Sequence, residues 1–199
     1  MAVGGCEGEV RLRRAGPADA ADIARVQVTS WRKAYRGLLP DDYLERLDPA
    51  DREPSWRRGI ESWPLEGHPW LAEVGGRVVG FVSAGPSRDE GAAPSTAEVY
   101  AIYVDPDCWD RGIGTALLGH AVRDLRAARY ETATLWVLAG NRQGRGFYEK
   151  SGWRPDGALK SEPIGGVSAD EVRYRLDLAG APSPRARPAS SSASSSASR

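Results

Sequence analysis

Residues 98–118, Glu-Val-Tyr-Ala-Ile-Tyr-Val-Asp-Pro-Asp-Cys-Trp-Asp-Arg-Gly-Ile-Gly-Thr-Ala-Leu-Leu, constrain this chain more than any other stretch. Val99, Tyr100, Ile102, Tyr103 and Val104 are β-branched or aromatic and predict a strand. Asp105-Pro106 ends it, because proline removes a ladder donor and restricts the residue before it. Gly112-Ile113-Gly114 then opens an apolar helix carrying Ala116, Leu117, Leu118 and Ala121. A glycine-rich loop that runs into a helix start aims several backbone N–H groups at one spot, and the helix dipole adds positive potential there. The stretch therefore predicts an anion site, and phosphate is the anion that suits it best.

The bulk properties narrow what surrounds that site. The 199 residues suit one domain with a real core. Lys plus Arg and Asp plus Glu are both 27, so no global field points to nucleic acid or an anionic membrane. Two cysteines, Cys6 and Cys108, make neither a disulfide framework nor a ligand cluster, and the two histidines do not complete a metal site. No apolar run approaches the roughly 20 residues of a membrane span. The first residues lack the basic-then-apolar plan of a signal peptide. The expectation is a cytoplasmic, reduced protein without a metal.

Residues 1–8 are small and Gly-rich and are expected to be disordered. Val10–Arg13 predicts a first strand. A helix beginning near Pro17-Ala18-Asp19 follows, with Ile23, Val26, Val28 and Trp31 on one face. Gly37 interrupts the pattern, and Pro40-Asp41-Asp42 starts a second short helix. Residues 48–69 read as loop with some helix. Gly75-Gly76-Arg77 between two apolar runs predicts a hairpin over 70–83. Residues 85–96 are a polar loop. After the central strand and helix come a strand at 132–138, a helix at 143–150 stopped by Gly152, and a strand starting at Trp153-Arg154. A last alternating strand covers 171–178. From Ala179 the composition is Ala, Ser, Pro and Arg, which predicts a disordered tail at 179–199 after a single domain at 9–178. The order β-α-α-β-β-β-α-β-α-β-β is α/β.

The phosphate loop has three readings. A P-loop requires Gly-x-x-x-x-Gly-Lys-Ser/Thr, and no such lysine follows Gly114. A dinucleotide fingerprint requires a third small residue where Leu117 stands, and its acidic partner should end the next strand, whereas Glu131 precedes it. The third reading joins two stretches. Arg111–Leu118, placed after Tyr103-Val104-Asp105-Pro106, resembles the acyl-CoA-binding motif of the GNAT acetyltransferase superfamily, Gln/Arg-x-x-Gly-x-Gly/Ala, with Trp109 departing from its first position. Asn141 followed by Phe147-Tyr148-Glu149-Lys150-Ser151-Gly152-Trp153 resembles the Asn…Phe-Tyr-Glu-Lys-x-Gly-Phe block of the same superfamily, with Trp153 for the usual Phe. Ser30–Pro40 also looks like one of its branches. The resemblance covers about residues 10–178.

That resemblance implies a mixed, mostly antiparallel central sheet with a splayed parallel strand pair, flanked by helices. It implies acetyl-CoA as co-substrate and acyl transfer to a primary amine of a small molecule or peptide. The strands at 98–104 and 132–138 would splay and take the pantetheine arm, with backbone groups of Ile102 and Val104 pairing to its amides. The N–H groups of Arg111, Gly112, Ile113, Gly114 and Thr115 would hold the pyrophosphate, and Asn141 would contact the cofactor. Arg142 and Arg145 are candidates for the 3′-phosphate. Tyr148 is the candidate general acid, and Glu98 the candidate base, although many family members need no dedicated base. Trp136 stands where some branches place one and cannot serve. Trp31, Tyr35 and Tyr100 are candidate walls of the acceptor pocket. Two other classes remain open at this stage, a non-catalytic CoA-binding regulatory module and a dinucleotide-binding oxidoreductase. Oligomeric state, including a homodimer, is not set by the sequence.

Overall fold

The computed structural model describes residues 6–63 and 67–179. Most of the expected disordered start and all but Ala179 of the expected tail lie outside the described residues. Seven strands form one sheet in the order β1-β2-β3-β4-β5-β7-β6. They are β1 (Val10–Arg14), β2 (Trp70–Val74), β3 (Arg77–Pro86), β4 (Thr96–Val104), β5 (Thr132–Leu138), β6 (Arg154–Ile164) and β7 (Val167–Asp177). Every neighbouring pair is antiparallel except β4–β5. Among the described residues five α-helices flank the sheet: α1 (Ala20–Ala34), α2 (Asp41–Arg46), α3 (Pro49–Ser62), α4 (Ile113–Ala127) and α5 (Arg142–Lys150).

Residues 49–62 are a 14-residue helix, longer than the sequence pattern predicts for a stretch carrying Pro54. The Asp48 carboxylate accepts a hydrogen bond from the Ala50 N–H, and Pro49 needs no donor in the first helical position. Tertiary packing supplies the rest. Trp56 meets the Phe81 ring edge-on at 5.1 Å, its indole N–H donates to Gln27 at 2.8 Å, and Ile60 is buried. The final strands form a longer hairpin than the alternation at 171–178 predicts. Gly165 and Gly166, with φ of 61° and 83°, make its turn, a conformation that residues with a Cβ resist.

The cysteine expectation is corrected here. Cys6 and Cys108, 102 residues apart in sequence, form a disulfide with their Cα atoms 5.4 Å apart. Cys6 is therefore not part of a frayed end: it is buried, and its carbonyl accepts from the Arg111 guanidinium at 2.5 Å. The pairing of β1 with β2 carries the segment before Val10 toward the loop after β4, a proximity that spacing along the chain does not reveal.

The sheet's two faces have different partners. The α4 and α5 face buries Val99, Leu117, Leu118, Leu135, Val137, Trp153 and Tyr174. The other face packs Ile23, Val26 and Phe81 in one cluster and Val28, Leu39, Leu44 and Leu138 in a second. Fully burying a side chain of this kind is worth about 1.5–3 kcal/mol. Among the described residues no helix is long and apolar enough to cross a membrane.

Candidate functional site

The parallel pair holds the site because it parts. β4 and β5 are in register only at Thr96–Glu98 against Thr132–Thr134. Beyond that, β4 follows β3 up to Val104 and β5 follows β7 up to Leu138. The divergence begins at a β-bulge. Ser83 pairs with Ala101 and Ala84 with Val99, so Tyr100 is the extra residue. A bulge bends its strand and raises its twist, which is how pairing to a neighbour is ended. It also resets the alternation. Val99, Ile102 and Val104 pack toward the α4 core, while Ala101 and Tyr103 pack against the cluster on the opposite face.

A cavity of about 730 Å³ fills the resulting gap and passes from one face of the sheet to the other. On the α4–α5 side it is lined by Ile102, Val104, Gly112–Thr115, Asn141, Phe147 and Tyr148. On the α1–α2 side it meets Trp31, Tyr35, Glu98, Tyr100, Tyr103, Trp136, Lys160 and Glu171.

The glycine-rich stretch runs into a helix start, as its residue pattern predicts. Gly112 stands at the N-cap of α4 with φ of 75°, and no side chain caps the helix start. Its first N–H groups thus have no side-chain acceptor of their own. A Cβ on Gly114 would stand 3.4 Å from the Phe147 ring, an ordinary van der Waals contact, so α4 and α5 meet here. Arg111 contributes backbone only, because its guanidinium is turned to Cys6. The end of β4 is fixed by Asp105, whose N–H donates to Val79 at 2.7 Å and whose buried carboxylate faces Arg25 and Arg77 at 3.6 and 3.5 Å.

Several predicted residues prove to have work within the fold as well. The Val104 carbonyl, expected to face the pantetheine, already accepts from Ser30 Oγ at 2.7 Å and Trp109 Nε1 at 2.8 Å. Trp109, the departure from the family pattern, thus buttresses the strand end. Asn141 caps α5 by accepting from Gly144 N–H at 2.9 Å, while its side chain also lines the cavity. Of the two arginines considered for a phosphate, Arg142 lines the cavity, whereas Arg145 is engaged with the Tyr174 hydroxyl and the Ala139 carbonyl.

Tyr148 reaches the gap from α5. Burial, and then the neighbouring Tyr103, push its phenol above the ordinary value. Its hydroxyl makes no hydrogen bond to another described residue. Tyr103 and Tyr35 come up from the other side, and burial raises both. Trp31 stacks edge-on against Tyr35 at 5.0 Å, and its indole N–H is buried without an acceptor among the described residues. Glu98 is only 3% exposed. One of its oxygens accepts from the Arg88 guanidinium at 2.5 Å and the other from the Arg88 N–H at 2.9 Å. Arg88 also covers the Tyr100 ring at 4.2 Å, and the Tyr100 hydroxyl donates to the Pro86 carbonyl. Burial raises the Tyr100 phenol to about 12.

The structure adds residues that sequence reading passes over. Tyr103 reads only as a strand former, Glu171 only as the first residue of the last alternating strand, and Lys160 lies in a stretch with no reading of its own. Their one visible signal is that Glu171 opens the clean alternation of the last strand. Among the described residues no cluster of His, Cys, Asp and Glu is arranged to hold a metal.

Comparison with known proteins agrees with this geometry. Residues 29–153 match the family model described as Acetyltransferase (GNAT) family. A Mycobacterium tuberculosis protein named as a probable N-acetyltransferase, Rv2775, is 32% identical over 84% of this chain and 93% of its own length. The uncharacterized N-acetyltransferase YuaI of Bacillus subtilis is 35% identical over 66% of this chain and 73% of its own. Among solved structures, yncA of Salmonella typhimurium with its cofactor acetyl-CoA superposes with a TM-score of 0.65 at 22% identity, over 90% of this chain and all of that one. PaiA N-acetyltransferase of Thermoplasma acidophilum in complex with coenzyme A gives a TM-score of 0.61 at 18% identity, over 85% and 99%.

Proposed function

The chain belongs to the acetyltransferase (GNAT) family, and from that premise we propose that it moves an acetyl group from acetyl-CoA to a primary amine of a small molecule or peptide, with Tyr148 as general acid. The observation that carries this reading is the gap between β4 and β5. One continuous cavity joins an uncapped helix start to the Tyr148 phenol.

Acetyl-CoA fits the residues present. The N–H groups of Gly112–Thr115 are free to hold a pyrophosphate, and Arg142 and Lys150 stand on the same side for further phosphate charge. The cavity-facing edge of β4 beyond Glu98 lacks a β5 partner and can pair with the pantetheine amides. When bound, acetyl-CoA supplies an activated acyl group as a thioester.

The acceptor enters from the α1–α2 face. Its neutral nitrogen attacks the thioester carbonyl, an N–C bond forms, the C–S bond breaks, the nitrogen gives up a proton to Glu98 or to water, and the departing thiolate needs a proton. Tyr148 holds that proton throughout the neutral range, because burial favours its uncharged form. Glu98 remains the candidate base, acting from within its ion pair with Arg88, and a fraction of the acceptor is neutral without help. Trp31, Tyr35 and Tyr100 form the wall against which the acceptor lies.

Free thiol released from acetyl-CoA across a library of amines and peptides tests the reading. Acceptor-dependent thiol release supports it. Binding of CoA with no release for any acceptor replaces it by a regulatory CoA-binding module.

A further inference from the structure

The acceptor side of the cavity contains two ion pairs, and they differ in how firmly they are held. Arg88 and Glu98 are locked. Glu98 is almost fully buried, both its oxygens are engaged by Arg88, and the guanidinium lies on Tyr100. Lys160 and Glu171 are cross-strand partners on β6 and β7, joined by one contact of 3.1 Å. Lys160 has a second partner, Glu162, at 3.5 Å and on the outer part of the hairpin. Its side chain is 35% exposed and that of Glu171 is 17% exposed. The lysine can therefore swing to Glu162 and leave the Glu171 carboxylate facing the cavity.

The place it would vacate is shaped for a cation. The Lys160 ammonium lies 4.6 Å from the centre of the Trp136 ring. That ring is pinned by its indole N–H donating to Asp89 at 2.8 Å. The other cation over Trp136, Arg173, is fixed by Asp89 and Asp156 at 2.8 Å each. Glu171 lines the same cavity as Tyr35, Tyr103 and Tyr148. A carboxylate next to an aromatic face is a standard ammonium receptor. Its present occupant is an ammonium on an unbranched alkyl stem.

We propose that Glu171 and the Trp136 ring are the docking site for the acceptor, a primary alkylammonium, and that Lys160 is a resident stand-in which the acceptor displaces. This rests on the acyl-transfer reading of the cavity. It makes Glu171 a specificity-determining residue. A primary alkylamine is almost wholly protonated at neutral pH, so the group to be captured is a cation, and its proton passes to water before the nitrogen attacks.

The test is calorimetric titration of n-butylammonium chloride, with n-butyrate as the anionic control, into the full chain with CoA bound at neutral pH. Wild type, Lys160→Met and Glu171→Gln are compared, each checked for an unchanged far-ultraviolet spectrum. Lys160→Met should bind butylammonium about two- to fivefold more tightly, because a competing partly exposed ion pair is gone. Glu171→Gln should bind it at least about tenfold more weakly. Unchanged or weaker binding in Lys160→Met, unchanged binding in Glu171→Gln, or no binding by any of the three overturns the proposal. Preference for butyrate that Lys160→Met abolishes also overturns it, since Lys160 would then be reading an anion. Thiol release by the same proteins separates the two readings. Butylammonium binding as expected without thiol release from any acceptor fails the transfer reading alone. Release with an acceptor KM indifferent to both substitutions fails this inference alone.

Discussion

The two halves of the split in the sheet are built on different principles. The α4–α5 half is led by backbone, the amides at Gly112–Thr115 and the open edge of β4, with side chains of α5 added to it. Its backbone parts lie close in sequence, and a phosphate needs little more than N–H groups aimed at one point. The α1–α2 half is made from side chains. Trp31, Tyr35, Glu98, Tyr103, Trp136, Lys160 and Glu171 come from helix α1, its C-cap and four different strands. The contrast teaches that a half recognising an invariant ligand can be written in one short motif. In the proposed reading, a half that recognises a particular acceptor is distributed over side chains from distant elements, which substitutions would alter one residue at a time.

The strongest challenge to that division is Tyr148, which stands at the junction. Tyr148→Phe should lower kcat by about 10²–10⁴-fold, the usual worth of a positioned acid, and leave CoA affinity within about twofold. Steady-state kinetics beside a CoA titration would measure both. A matching loss of CoA affinity would mean that the two halves are not separable. Next comes the Cys6–Cys108 bridge, which ties the chain's start to the loop of the backbone half. Cross-linking a loop of about 100 residues is worth up to about 4.7 kcal/mol through the unfolded state. Cys6→Ser or dithiothreitol should lower the melting temperature by several degrees, and an unchanged melt would show that the bridge contributes nothing.

Gly112→Val sharpens the comparison from the backbone side. A β-branched residue at φ of 75° carries strain of about 1–3 kcal/mol. CoA should then bind about 10- to 100-fold more weakly, while the KM of the acceptor at saturating acetyl-CoA stays put. Calorimetry and kinetics together check this. The smallest effect is one of pH. The Tyr148 phenol is raised above its ordinary value of 10, so its proton-donating form is fully present below that pH and is lost only as pH rises through the higher, folded-state value. The rate should therefore rise with pH as the acceptor loses its proton, and show no alkaline fall before about pH 10. A descending limb near pH 8 would point to a different acid.

The sequence by itself determined the elements that rest on local chemistry. Proline after Asp105, glycine at 112 and the apolar period of 113–125 specify strand, loop and helix because each acts through its own backbone or its own face. The two motifs around Gly112 and Tyr148 sufficed to name a family. Tertiary structure alone decided the rest. Residues 49–62 are helical because Trp56 and Ile60 find Phe81 and α1, not because of propensity. Cys6 meets Cys108 because β1 pairs with β2. The bulge at Tyr100 opens the sheet, a consequence of how β3 and β4 register, which no residue type announces. Lys160, Glu171 and Trp136 share one corner only because β6, β7 and β5 lie side by side. Local forces can be read along a chain; contacts between distant strands depend on register, and register exists only once the sheet has formed.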